Sequence, residues 1–408
     1  MRNPILTAAL VATLATAPVL ARETPDPLDM IFARRSDVAV FGDAPYGTTP
    51  TDNAQLTVFP AFIDSINADT DVSLALMVGD IHSGKQLCTL AYDQKIYDLW
   101  TAFRDPLVYT PGDNEWTDCH KVAQGGGLYN AATGKIDFQV DASGNLIDYA
   151  GGDPAANLEL VRSIFFSDPG FTLGDRRLVL SQRYLHDHRA HPSDANYPEN
   201  VIFVKSRVLF VALNVPGGSN NDQDIWYKAP TMSPAQAQDV AERTAADIRW
   251  IDTAFALATL LRVDGVVIES QADMWDLDGT APGAPGQAAP HLTGFEGIIA
   301  EVAAKTNALR KPVLMFNGDS HIYRSDNPLA QGAPCAIEPS SGAPAVACAN
   351  DDWLSHPFYN VPNFHRVVVH GSTFPLEWLK LRIDLRSSSP AGTGAIGPFS
   401  WTRMTQTP

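Results

Sequence analysis

The sequence predicts an α/β protein built on parallel strands, and three observations carry this. Short apolar, β-rich runs at residues 38–43, 74–80 and 107–113 each close on Gly-Asp, at Asp43, Asp80 and Asp113. They do not alternate with polar residues, as expected of strands buried on both faces. Helical patterns separate them, and strand, helix, strand in succession implies parallel pairing through right-handed crossovers.

Taken in order, the first helix carries Leu56, Phe59, Ile63 and Ile66 on one face, and Pro60 is tolerable there only in the opening turn. The second carries Tyr92, Ile96, Leu99 and Phe103. Residues 124–153 then turn Gly- and Asn-rich. Two alternating runs, 136–140 and 146–149, flank Ala142-Ser143-Gly144-Asn145 and predict an inserted hairpin between them. Helix resumes over 158–166, and strands are expected at 201–204 and 208–213, followed by a polar Gly/Asn loop at 216–224. Ser233-Pro234 supplies an N-cap and a first-turn proline for a long helix with Val240, Ile248, Ile251, Phe255 and Ala258 inward. The last third returns to strands at 265–268, 313–316, 366–369 and 378–385, with a helix near 295–306. Segments 279–290 and 329–350 read as surface insertions. No linker divides residues 22–408, which are expected to form one large domain.

The chain has 408 residues, 45% of them hydrophobic, enough for a large core. Its 46 acidic against 29 basic side chains give a net charge of −17, which repels phosphate backbones and disfavours nucleic acid as a partner. Residues 1–21 read as an export signal: Arg2, a mostly apolar run from Ile5 to Leu20, and small residues at Val19-Leu20-Ala21. The apolar part is short for a retained span, and no later segment could cross a bilayer. A secreted or periplasmic location follows, and with it oxidised cysteines. Four cysteines allow three pairings. Cys335 and Cys348 bound a Pro/Gly/Ser-rich segment that suits a local staple, and Cys88 and Cys119 each follow a Gly-Asp turn on neighbouring strands. We expect Cys88–Cys119 and Cys335–Cys348.

The chemistry resides in the strand ends. Asp43, Asp80, Asp113 and Asp319 each follow a glycine there, which is where ligands bind in α/β sheets. The glycine is expected to let the backbone turn sharply so that the carboxylate projects. Clustered carboxylates repel one another and call for a cation. His321 adds an imidazole on the same turn as Asp319. Five blocks stand in order: Gly42-Asp43-Ala44-Pro45, Gly79-Asp80-Ile81-His82, Gly112-Asp113-Asn114-Glu115-Trp116, residues 266–271, and Gly318-Asp319-Ser320-His321.

In these blocks the chain resembles the calcineurin-like metallophosphoesterase superfamily, over roughly residues 36–385. The resemblance implies an αββα sandwich of two mixed sheets flanked by helices, with strand-end loops that hold two metal ions. Five positions depart from the family pattern: histidines are replaced by Pro45, Asn114, Gln271 and Asp319, and the metal-binding asparagine by Asp113. Carried over position by position, Asp43 and His321 hold the first ion, Asp80 bridges, and Asp113, Gln271 and Asp319 hold the second, while Asn114 takes the catalytic position. So oxygen-rich a set favours Mg²⁺, Mn²⁺ or Ca²⁺ over Zn²⁺ or Fe. A small phosphoester is the implied substrate. Losing the usual leaving-group acid costs about 10²–10⁴-fold unless another acid replaces it, and His82 or His120 could do so.

Tyr46, Trp116 and Trp275 follow blocks and either wall a pocket or pack beneath the loops. The histidines between Tyr184 and His191 read as a solvated loop or a further contact. There is no Gly-x-Ser-x-Gly elbow, phosphate-cradling Gly loop or His-Glu-x-x-His, and no C-x-x-C spacing for structural zinc. The leading expectation is an exported metal-dependent phosphoesterase. The alternative is a non-catalytic descendant that binds a metal or ligand at the cell envelope.

Overall fold

The computed structural model describes residues 33–275, 293–349 and 358–405. The expected signal segment, the insertion at 279–290 and the last residue of the one at 329–350 lie outside the described residues.

Two mixed sheets pack face to face. In one, Arg35–Phe41, Val72–Met77 and Pro106–Tyr109 run parallel, with Glu377–Asp384 and Phe399–Thr405 antiparallel beyond Arg35–Phe41 and the short Leu173–Gly174 at the other edge. In the other, Val208–Ala212, Gly265–Glu269, Val313–Asn317 and Phe364–Val368 form four parallel strands, flanked by antiparallel Val201–Lys205 and Arg324–Asp326. Helices cover both outer faces. The architecture is the αββα sandwich that the resemblance implied.

The non-alternating strands are explained by this layering. Val38 and Val40 point between the sheets, against Phe210, Val267, Leu314, Phe316 and Val367, while Ala39 and Phe41 point outward under Phe59, Phe62 and Ile63 of the helix Ala54–Ala68. On the far side Trp250, Ile251 and Phe255 of the helix Pro234–Leu261 pack with Ile298, Ile299 and Val302 of Glu296–Leu309. Both faces of the parallel strands are therefore apolar, and the period-two polar signal is absent. Ser233 caps its helix as expected, its side chain accepting from Gln236 N–H.

Two local expectations are corrected. The first helix begins at Ala54, so Pro60 lies inside it, on the exposed face, and not in its opening turn. There the carbonyl that a proline leaves without a donor can turn to water. In the insertion, Lys135–Phe138 pairs with Gly127–Asn130 across a turn closed by Gly134, whose φ of 66° suits glycine. Residues 141–145 instead curl onto the Asp141 side chain, which accepts Ser143 and Asn145 N–H at 2.8 and 2.9 Å. The expected pairing is short, held by the bridge Val140–Leu146 and by Ile147 N–H donating to Gln139 O at 3.1 Å.

Both expected disulfides form, Cys88–Cys119 and Cys335–Cys348. Among the described residues no helix is long and apolar enough to cross a membrane.

Candidate metal centre

The carboxyl ends of the parallel strands of both sheets open into one region. Asp43, Asp80 and Asp113 arrive from the first sheet, and Gln271, Asp319 and His321 from the second. The left-handed backbone expected of the glycines is taken by the aspartates themselves, with φ of 50° at Asp43, 63° at Asp80 and 73° at Asp319, and among these glycines by Gly79 alone. Aspartate is one of the few residues that tolerates this region.

The glycines serve a different purpose, which is to make room for one another's carboxylates. A Cβ on Gly112 would lie 2.0 Å from Asp80 Oδ1, one on Gly318 2.4 Å from Asp43 Oδ2, and one on Gly217 2.4 Å from Asp113 Oδ2 and 3.0 Å from Asp319 Oδ1.

Ligand atoms of Asp43, Asp80 and His321 lie within 4.8 Å of one another. Asp43 Oδ1 accepts Asp319 N–H at 2.9 Å and stands 3.5 Å from His321 Nε2, while its Oδ2 is buried with no hydrogen-bond partner. An unpartnered buried carboxylate oxygen is costly, and a cation is the partner such an atom lacks. Among the described residues no lysine or arginine forms an ion pair with Asp43, Asp80 or Asp113. Burial raises the Asp43 carboxyl to about 7, and burial together with neighbouring carboxylates, Glu115 and Asp43 for Asp80 and Asp80 for Asp113, raises the other two well above the usual range. Burial lowers His321 to about 4, so its imidazole is neutral at physiological pH and able to ligate. Two carboxylates with one imidazole fit a divalent cation.

Asp80 Oδ2 is the hub of a donor network. It accepts from Tyr46 Oη at 2.7 Å, Asn114 Nδ2 at 2.9 Å and Gln271 Nε2 at 3.2 Å. Asn114 Nδ2 also lies 2.9 Å from Tyr46 Oη, which stands 3.3 Å from His321 Nε2. Of the three aromatics flagged in the sequence, Tyr46 therefore enters the centre, whereas Trp116 and Trp275 are fully buried beneath the loops. Asp113 and Asp319 join the cluster through Gln271 and Gly217. Gln271 joins it too, but with its N–H groups facing the carboxylates, since its Oε1 accepts Gly217 N–H at 2.7 Å.

His82 does not join. Its ring is fully buried beside Tyr92, with its nitrogens against Ser83 O at 3.2 Å and Cys88 Sγ at 3.8 Å. His120 belongs to a separate grouping with Asp118 and Asp224. There the Lys121 ammonium already sits 2.7 Å from each carboxylate. Tyr227 N–H donates to His120 Nδ1, which places the neutral ring's proton on Nε2 and makes that atom a donor, unsuited to a metal. His186 and His188 lie in the exposed loop whose turn Asp187 closes by accepting Arg189 and Ala190 N–H.

A support unforeseen in the sequence holds the fifth block. Asp273 N–H donates to Asp319 Oδ2 at 3.1 Å, and Ser320 Oγ donates to Asp273 Oδ2 at 2.8 Å. Asp273 is in turn paired with the fully buried Arg366, which grips Asp326 with two hydrogen bonds at 2.9 and 2.8 Å. The Asp273 backbone follows Gln271 by two residues, which is the sole sequence hint.

No family model and no curated protein matches the chain. Among solved structures it is similar to one titled "Structure of PhoD", at 10% identity and a TM-score of 0.40, over 83% of this chain and 57% of that one. It is also similar to the purple acid phosphatase PPD1 from yellow lupin (Lupinus luteus) seeds, at 11% identity and 0.35, over 85% and 49%. The match thus spans about half the length of those two chains. The chain thus folds as two mixed sheets flanked by helices, an αββα sandwich that gathers the carboxylates of its strand-end blocks and His321 in one region.

Proposed function

We propose that the chain is an exported hydrolase of phosphoric esters that works with a divalent cation held by Asp43, Asp80 and His321. The observation that carries this is the meeting of their ligand atoms within 4.8 Å around a buried Asp43 oxygen that has no partner. Asp43, Asp80 and His321 would hold the ion, which would supply water activation at neutral pH and charge neutralisation at a phosphoryl group. The chain's own residues prepare that site. Tyr46 and Asn114 fix the Asp80 carboxylate by donating to one of its oxygens, Asp319 N–H orients Asp43, and the Asp273–Arg366 pair steadies the loop that presents His321. The donor set favours Mg²⁺, Mn²⁺ or Ca²⁺, and its single imidazole also accommodates Zn²⁺ or Fe. The two disulfides support export.

One observation favours a second reading, a metal-holding binding protein without turnover. Asn114 spends its amide on Tyr46 and Asp80, and His82 is sealed beneath the disulfide, so neither histidine nor amide offers a proton to a leaving group. The test uses protein beginning at residue 22, assayed with p-nitrophenyl phosphate and bis(p-nitrophenyl) phosphate under each cation. Turnover that needs the cation and falls at least about 10²-fold in Asp80→Asn supports the hydrolase. Tight cation binding with no Asp80-dependent turnover on either ester supports the binding protein.

A further inference from the structure

We infer that the centre binds one cation per chain, because the side-chain amide of Gln271 occupies the place a second cation would take between Asp80 and Asp113. This inference rests on the proposed metal centre and sharpens it.

The amide nitrogen lies 3.2 Å from Asp80 Oδ2 and 3.1 Å from Asp113 Oδ1, so its two N–H groups bridge the carboxylates that a second ion would have to share. Its orientation is fixed from both ends. Gly217 N–H is a donor with no capacity to accept, and it bonds Gln271 Oε1 at 2.7 Å. Turning the amide over would set N–H against N–H on that side and a lone pair against two carboxylates on the other. Gly217 cannot move closer to the cluster to adapt, since even a Cβ there would lie 2.4 Å from Asp113 Oδ2. Nor can the side chain swing away. Gln271 is wholly buried, and its Cβ and Cγ lie so near Gly79 that a Cβ on that glycine would meet each at 2.6 Å.

One oxygen of each remaining carboxylate is also engaged. Asp319 Oδ2 already accepts Asp273 N–H, and Asp113 Oδ1 is taken by the amide itself. The first position contrasts with this. Asp43 Oδ2 has no donor, and the His321 side chain is 37% exposed with its Nε2 facing Asp43 and Tyr46. The two halves share Asp80 and differ beyond it: Asp43 keeps a buried oxygen with no donor, whereas Asp113 is bridged to Asp80 by the Gln271 amide.

The inference is tested by counting Mn²⁺ bound per folded chain, by equilibrium dialysis and elemental analysis, with electron paramagnetic resonance as a second readout. Wild type is expected to bind one Mn²⁺ with the six-line signal of an isolated ion. Asp43→Asn should weaken that ion at least tenfold, and Asp113→Asn should leave the count at one. Gln271→His, which supplies a lone pair in place of the N–H bridge, should raise the count to two and give a spin-coupled spectrum. If Gln271→His does not fold, the Asp113→Asn count decides alone. Two ions in wild type, with one lost in Asp113→Asn, overturns the inference, as does a count of zero. Turnover is measured separately: a count of one without hydrolysis defeats the proposed activity and leaves the inference standing, and a count of two with hydrolysis does the reverse.

Discussion

Asp43→Asn has a stability effect whose size depends on both pH and cation. In the metal-free protein burial lifts the Asp43 carboxyl from 3.8 to about 7. An acid whose folded value is raised binds more protons folded than unfolded between those two values, so its contribution falls as pH rises through that window. A shift of about three units corresponds to roughly 4 kcal/mol, of which about 2.6 kcal/mol is lost between pH 5 and pH 8. Asparagine keeps the acceptor for Asp319 N–H and does not ionise. The metal-free variant should therefore gain on wild type by about 2.6 kcal/mol across this range. With an unfolding entropy near 2.1 cal/mol/K per residue over 408 residues, that is a relative rise in Tm of about 3 °C. Taking the difference between the two proteins cancels the buried histidines His82 and His365, which titrate in the opposite sense, and leaves the groups that act on Asp43, which are Asp80, Glu115 and His370, with His321 3.5 Å away. Saturating cation should remove about half of this gain at pH 8, because 100 times the wild-type Kd adds about 2.7 kcal/mol to the wild type and about 1.4 kcal/mol to a variant bound tenfold more weakly. Thermal melts of both proteins with chelator and with cation, from pH 5 to 8, make the measurement. A metal-free difference that stays flat or shrinks with pH would refute the claim that Asp43 is held there without a counter-charge.

Arg366→Met removes the partner of two buried carboxylates, Asp273 and Asp326, and should cost about 3–5 kcal/mol in urea unfolding while weakening cation binding through Asp319. Replacing Cys88 and Cys119 together by serine opens a link across 31 residues, and should cost about 4 kcal/mol by loop-closure entropy, read as a shift in the urea midpoint. Pro60→Ala restores a helical N–H on an exposed face, and should stabilise by about 1–3 kcal/mol; a lower Tm would contradict the interior placement of Pro60.

The parallel strands were legible because burial on both faces leaves an unbroken apolar run, and the blocks were legible because each strand end carries an aspartate. Their convergence followed from topology alone. Other features left no such trace. The pairing of Lys135–Phe138 was misassigned because both candidate partners flank turn-like residues, and the choice depends on how the Asp141 side chain closes its own loop. Whether Tyr46 enters the site or packs beneath the loops depends on where one hydroxyl lands, 34 residues from Asp80 in sequence. The replacement at Gln271 kept an oxygen on paper. Which end of the amide meets the carboxylates is decided by Gly217, on a different strand-end loop.

The glycines show why each block is a weak signal alone and a stronger one in company. Had each glycine served its own aspartate, every Gly-Asp would be an independent turn, common in any protein. Here Gly112 yields space to Asp80, Gly318 to Asp43, and Gly217 to both Asp113 and Asp319. Two of these relations cross from one sheet to the other, so a methyl group added on one sheet displaces a carboxylate carried by its neighbour. The constraint is on the seam between the sheets, and the apolar layer beneath it, where Val40 and Val78 share a core with Phe316 and Val369, sets the spacing at which the carboxylates meet. A change of a few tenths of an ångström in that spacing opens or closes the hydrogen bonds from Gln271 to Asp80 and Asp113. The choice between an amide and a second cation at the centre is thus made by the packing of the two sheets as much as by the residue at position 271.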